Sequence, residues 1–221
     1  NDRSIVLGDS LTSELHPFSK TSTDVNAKYR VANALALTAG YAWESWTRDT
    51  AVRNMAKTTE KTPRVSLDYT GLGWVAVHTS YSKGSRRGTY TVLDAIETVG
   101  FRSFDQADRD RTRTNLMASV TPIDNLTVAF DYEVGDDKFP HSTYGTQSDK
   151  STMTGIDLDW TPVSRFSLGL GYTKEDFRNR LELRYKTGRD TVGSPTWNNP
   201  TYNWYNRNVD RNRTTYVSVS A

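Results

Sequence analysis

Histidine and clustered carboxylates are the residues most able to do chemistry in this chain. His16, His78 and His141 fall in three separate segments. No two of them have the H-x-x-x-H spacing that places imidazoles on one face for a metal. His78 is expected to be a polar residue on a sheet face. Asp105, Asp108 and Asp110 form an acidic cluster interleaved with Arg102, Arg109 and Arg111. Carboxylates at that density are candidate calcium ligands, since calcium takes about six to eight oxygens. A salt-bridged, solvated loop is the favoured reading of the cluster, and Asp136 and Asp137 read the same way. Cysteine is absent. That excludes disulfides, thiolate zinc sites, iron–sulfur ligation and covalent haem attachment through C-x-x-C-H. No catalytic or cofactor-binding residue is therefore expected, and the chain is read as a non-enzyme.

The elements that carry these residues show an alternating pattern. The chain has 221 residues, 35% of them hydrophobic, 11% aromatic and 24% charged, with a net charge of +2. The aromatic content argues against disorder. No apolar run is longer than that at 74–77, far short of the roughly 20 residues of a membrane helix. Charge this balanced does not point to nucleic acid.

Large apolar residues instead recur at every second position, the period of a strand with one apolar and one polar face. Examples are Leu126, Val128, Phe130, Tyr132 and Val134, then Phe166, Leu168, Leu170 and Tyr172. Leu35, Leu37, Ala39, Tyr41 and Trp43 form another set, as do Val75, Val77, Thr79 and Tyr81. Each is preceded by a partner, at 25–31, 65–70, 116–120 and 156–160. A last strand covers 214–220, and a tenth is possible at 181–185.

Within each pair the turn is short, near residues 33, 71–73, 121–125 and 161–165. Between pairs the links are long and charged: 48–62, 83–111, 135–150 and 174–212. Short turns at one end of a meander and long links at the other are the pattern of an outer-membrane barrel. Residues 1–22 are expected to be irregular, and 23–221 to form one segment of strands and loops.

Aromatic placement favours a membrane over a soluble sandwich. Tyr41, Trp43, Tyr81, Tyr132 and Tyr172 fall at the long-link end, and Trp74, Trp160 and Phe166 at the short-turn end. Two girdles flanking an aliphatic band suit a bilayer, where amphipathic rings settle at headgroup level. Nine residues, 126–134, tilted by roughly 40°, span about 23 Å, against an apolar band about 25 Å tall. The opposite face carries Gly40, Asp68, His78, Asp131, Glu133, Asp157, Asp159, Gly169 and Gly171. These are expected to face the lumen and meet water or a guest. The expected fold is all-β: a transmembrane, antiparallel, up-and-down barrel contributing about nine or ten strands to a larger one.

Some stretches are also familiar. Phe101-Arg102-Ser103-Phe104-Asp105-Gln106-Ala107-Asp108-Arg109-Asp110-Arg111 is followed by Asn115-Leu116-Met117 and Thr121-Pro122-Ile123-Asp124. With Ser142-Thr143-Tyr144-Gly145, and with Tyr41, Glu44 and Trp46 before Arg48-Asp49, this resembles the MtrB/PioB family of outer-membrane proteins. The resemblance implies a barrel in the bacterial outer membrane that sheathes a periplasmic multihaem c-type cytochrome. The haem belongs to the partner, an extracellular multihaem cytochrome meets the loop side, and the barrel does no chemistry. Members of the family are longer, and often carry a Cys pair near the mature N-terminus, so the chain is expected to be a piece of such a barrel. A general porin or solute channel shares every barrel feature and is the alternative reading.

Overall fold

The computed structural model describes residues 18–48, 55–90, 101–184 and 201–220. Alternation becomes strand throughout: β1 (Phe18–Ala32), β2 (Leu35–Arg48), β3 (Met55–Leu72), β4 (Val75–Tyr90), β5 (Phe101–Arg102), β6 (Arg109–Ile123), β7 (Leu126–Lys138), β8 (Tyr144–Val163), β9 (Phe166–Arg184) and β10 (Asn203–Ser220). Nine of them form one antiparallel meander, β1-β2-β3-β4-β6-β7-β8-β9-β10, while β5 lies parallel to β8 off this path. Among the described residues β1 and β10 are edges, so the sheet is open. In lipid both edges must be paired, with each other or with further strands.

The strands run from 13 to 20 residues apart from two-residue β5, longer than the ten or so that the apolar pattern marks out. Much of each long charged link is strand. Residues 55–62, 83–90, 135–138, 144–150, 174–184 and 203–212 continue the ladders. Both faces are polar there, so the apolar period fades although backbone pairing goes on. Of the tenth strand expected at 181–185, residues 181–184 are the end of β9 and 185 lies outside the described residues, while residues 18–22, expected to be irregular, belong to β1. At the other end four hairpins close over two residues each: 33–34, 73–74, 124–125 and 164–165. The Thr-Pro pairs expected in turns lie instead at strand ends, beside register shifts at Val120/Ile123 and Trp160/Val163. A bulge tolerates proline, which has no N–H to give to the ladder.

The pairing register gives the strand tilt. Following directly opposed partners from Tyr81 leads to Thr114, Val134, Thr152 and finally Asp176 on β9. Asp176 is four positions beyond the girdle residue Tyr172 after four strand steps, a stagger of one residue per strand. At about 3.3 Å rise and 4.8 Å strand spacing, the tyrosines lie in one plane only if the strands tilt by about 35°. That is the inclination of a transmembrane barrel.

Among the described residues the spanning part of this sheet has no second layer to bury its apolar face. Tyr41, Tyr81 and Tyr172 are 44%, 45% and 40% exposed, and Leu170 39%. The buried apolar residues among those described, Met55, Ala107, Phe139 and Tyr144, all sit at the long-link end. A single-layer wall with an exposed aliphatic band is not a β-sandwich, which buries that face against a second sheet.

Candidate functional site

All nine residues expected to face the lumen share one face of the sheet. The register couples Asp68 to His78, His78 to Met117, Met117 to Asp131, and Asp131 to Gly155. It likewise couples Asp157 to Gly171, Asp159 to Gly169, and Gly40 to Arg64. The girdle residues on strands, Tyr41, Trp43, Tyr81, Tyr132, Trp160, Phe166 and Tyr172, take the opposite face. Trp74 sits in the β3–β4 turn.

The polar face is cross-linked from strand to strand. Asp68 receives Lys28 Nζ at 3.0 Å and lies 2.6 Å from His78 Nδ1. Arg64 donates to Asp24 and Asn26 across β2, and Tyr216 Oη donates to Asp157 at 2.9 Å. Gly40 and Gly171 are not empty space. A Cβ on Gly171 would collide with the Tyr216 ring, and one on Gly40 with Asn26 and Arg64. These glycines let large neighbours lie flat along the wall, which keeps the inner surface shallow.

Above the girdle the same face becomes a rim built of arginine. Asp137 is 4% exposed. It accepts from Arg111 Nη2 at 2.8 Å and Arg113 Nη1 at 2.7 Å. Arg109 donates both of its Nη2 bonds, 2.9 and 2.7 Å, to Glu60. Burial alone would raise the Asp137 carboxyl, but the bonds and charges of Arg111 and Arg113 outweigh it and hold it below the usual range. Asp137 is thus a buried ion-pair hub, a correction to the expected solvated loop.

The aspartate cluster does not converge on a cation. Asp108 accepts from the Gly88 amide at 2.9 Å and meets His141 at 2.7 Å, while Asp110 pairs with Arg87 on the opposite face of β6 from Arg109. Among the described residues no three His or acidic side chains could share a metal. His16 lies outside those residues.

Residues 101–108 fold across the polar face. β5 pairs with Tyr144 and Gly145 at the start of β8, and a tight turn follows, with Ala107 N donating to Ser103 O at 2.8 Å. Arg86, an inner-face residue of β4, donates Nε to Ala107 O at 2.8 Å and Nη2 to Phe104 O. Burial, with the neighbouring Arg109 charge, pushes Arg86 down to about 10. A pocket of about 380 Å³ results, and Phe18, Trp46, Phe104, Arg48, Arg86 and Arg109 help to line it. Phe18 and Trp46 rings pack at 5.1 Å, with Lys20 Nζ 4.9 Å from the Trp46 ring. The separate stretches around Trp46, Phe104 and Tyr144 thus meet at one rim.

Sequence reasoning missed Arg86, Arg113, Met117 and the inward position of Phe104. Arg109, Arg111 and Arg113 did carry a readable signal: they alternate, which makes one strand face cationic rather than a loop charged.

Comparison with known proteins agrees with this architecture. Among solved structures, "Outer-membrane expressed OmpT of Vibrio cholerae" superposes with a TM-score of 0.51 at 10% identity, covering 89% of this chain and 56% of that one. The chain thus spans little more than half the length of that barrel. "KdgM porin in complex with disordered oligogalacturonate" (TM-score 0.32, 13% identity, 94% and 99% covered) and "LpxR from Salmonella typhimurium" (0.30, 11%, 88% and 77%) superpose too loosely to carry an argument. No curated protein sequence matches. Residues 6–219 match the family described as "Putative outer membrane beta-barrel porin, MtrB/PioB". The tilted single-layer wall, its girdles and this match together make the chain a member of the MtrB/PioB family of outer-membrane β-barrel proteins.

Proposed function

We propose that this wall sheathes a periplasmic multihaem c-type cytochrome, so that electrons cross the outer membrane along the partner's haems. The composition of the inner face carries the reading. Between the girdles it offers Gly155, Gly169, Ser66, Ser80, Asp131 and Asp157, with Tyr216 laid flat over Gly171. Small and acidic groups allow close approach and can hydrogen-bond a polar guest, whereas a small self-filled barrel packs large side chains inside. The barrel's part is insulation and solvation: it keeps lipid from the guest's charged groups, which hydrocarbon cannot solvate. Haem stays on the partner, in keeping with a chain that has no cysteine.

The test is purification from detergent-extracted outer membranes, followed by haem staining and a visible spectrum. A stoichiometric c-type haem protein retained through high salt supports the sheath. A clean barrel with no haem overturns it, and single-channel conductance would then establish a solute channel.

A further inference from the structure

Above the girdle the only charged residues on the outward face of β3 and β4 are basic. Val65 and Tyr81 pair at the girdle itself. Beyond them Lys83 is the next outward residue of β4, then Lys61 pairs with Ser85, Thr59 with Arg87 and Lys57 with Thr89. Lys57, Lys61, Lys83 and Arg87 are all exposed. Between the two strands runs a shallow groove of about 500 Å³, lined by Lys57, Thr59, Lys61, Ser85, Arg87 and Thr89.

The outward positions of these two strands hold no carboxylate. Arg87 reaches Asp110 of β6 at 2.6 Å, but Lys57, Lys61 and Lys83 have no acidic partner among the described residues. The inner face of the same strands contrasts with this, since Asp68 and Glu60 are paired there. Like charges stacked on neighbouring strands repel, and the arrangement calls for an external counter-charge.

We propose that this groove binds the phosphates of the outer-leaflet glycolipid. Lys83 lies one outward step beyond Tyr81, about 5 Å higher along the membrane normal at this tilt, and Lys61 about 8 Å higher. Both reach headgroup level by extending their stems. Lys57 and Arg87 stand higher still. A phospholipid carries its phosphate at one level only. A glycolipid phosphorylated on its anchor and along its sugars matches a ladder of cations several rows tall. The groove binds lipid whether or not a cytochrome fills the lumen.

The experiment is native mass spectrometry of the delipidated full-length barrel in detergent. The probes are phosphorylated lipopolysaccharide, the same material chemically dephosphorylated, and phosphatidylglycerol. Wild type is expected to prefer the phosphorylated form by at least about ten-fold. The Lys57→Gln, Lys61→Gln, Lys83→Gln, Arg87→Gln variant, judged folded by heat-modifiable migration, is expected to lose that preference. Equal binding of the dephosphorylated form, equal binding of phosphatidylglycerol, or an unchanged preference in the folded variant overturns the proposal. If the variant does not fold, the wild-type comparison alone decides.

Discussion

The carbonyl oxygen of Arg102 lies 2.3 Å from where a Cβ on Gly145 would stand. Gly145 also has φ +104°, a conformation that side chains other than glycine rarely adopt. This contact lets β5 dock beside β8 and starts the inward course of residues 103–108. Gly145→Ala must move backbone on both sides, at about 1–3 kcal/mol. The meander itself does not depend on the contact. We expect limited proteolysis to cut within 101–108 sooner in this variant while the barrel keeps its heat-modifiable migration. Gly73→Ala, whose Cβ would meet nothing within 4 Å, is the control. Unchanged cleavage in Gly145→Ala would remove the β5–β8 contact as the anchor.

The meander, the girdles and the polar face were legible because a spanning strand must show period two: lipid selects one side and water the other. The rim was not. Above the girdle both faces of Lys83–Arg87 and of Lys174–Arg180 are polar, so nothing marks where strand gives way to loop. The pocket joins Trp46, Arg86 and Phe104, which only the register brings together. Gly145 was visible as a motif residue, but its role depends on β5, two residues that show no pattern of their own.

These 221 residues hold no cysteine, so the two faces can be tested with thiols introduced one at a time. Asp131 and Glu133 share the polar face, while Phe130 and Tyr132 share the girdle face. Asp131→Cys and Glu133→Cys should react with a charged, membrane-impermeant thiol reagent several-fold faster than Phe130→Cys and Tyr132→Cys in native membranes. If a guest fills the lumen, the fast sites should be shielded until it is stripped away. Equal reactivity along 130–133 would deny a water-facing side to this wall.

Buried Asp137 and half-buried Asp149 should pull the rim's stability in opposite directions with pH. Asp137 is held below its ordinary pKa: burial opposes ionisation, and Arg111 and Arg113 overcome it. Its contribution is therefore present above the unfolded value of about 3.9, and is lost as pH falls through the folded value. Asp137→Asn should cost on the order of 3 kcal/mol at neutral pH, since it leaves two arginines short of their shared anion. The cost should shrink in acid. Asp149, across β7–β8 from Asp137, is raised, first by burial and then by the Asp137 charge, although Asn179 donates to it. Its ionisation penalises the fold once pH rises through the raised value. Asp149→Asn keeps an oxygen for Asn179 and sheds the charge, so it should stabilise the barrel at neutral pH and have no effect near pH 3, where the carboxyl is already protonated. Thermal unfolding in detergent, followed by the loss of heat-modifiable migration between pH 3 and 8, reads both. Destabilisation by Asp149→Asn at neutral pH would mean that Asp149 serves the arginine network as a needed anion, as Asp137 does.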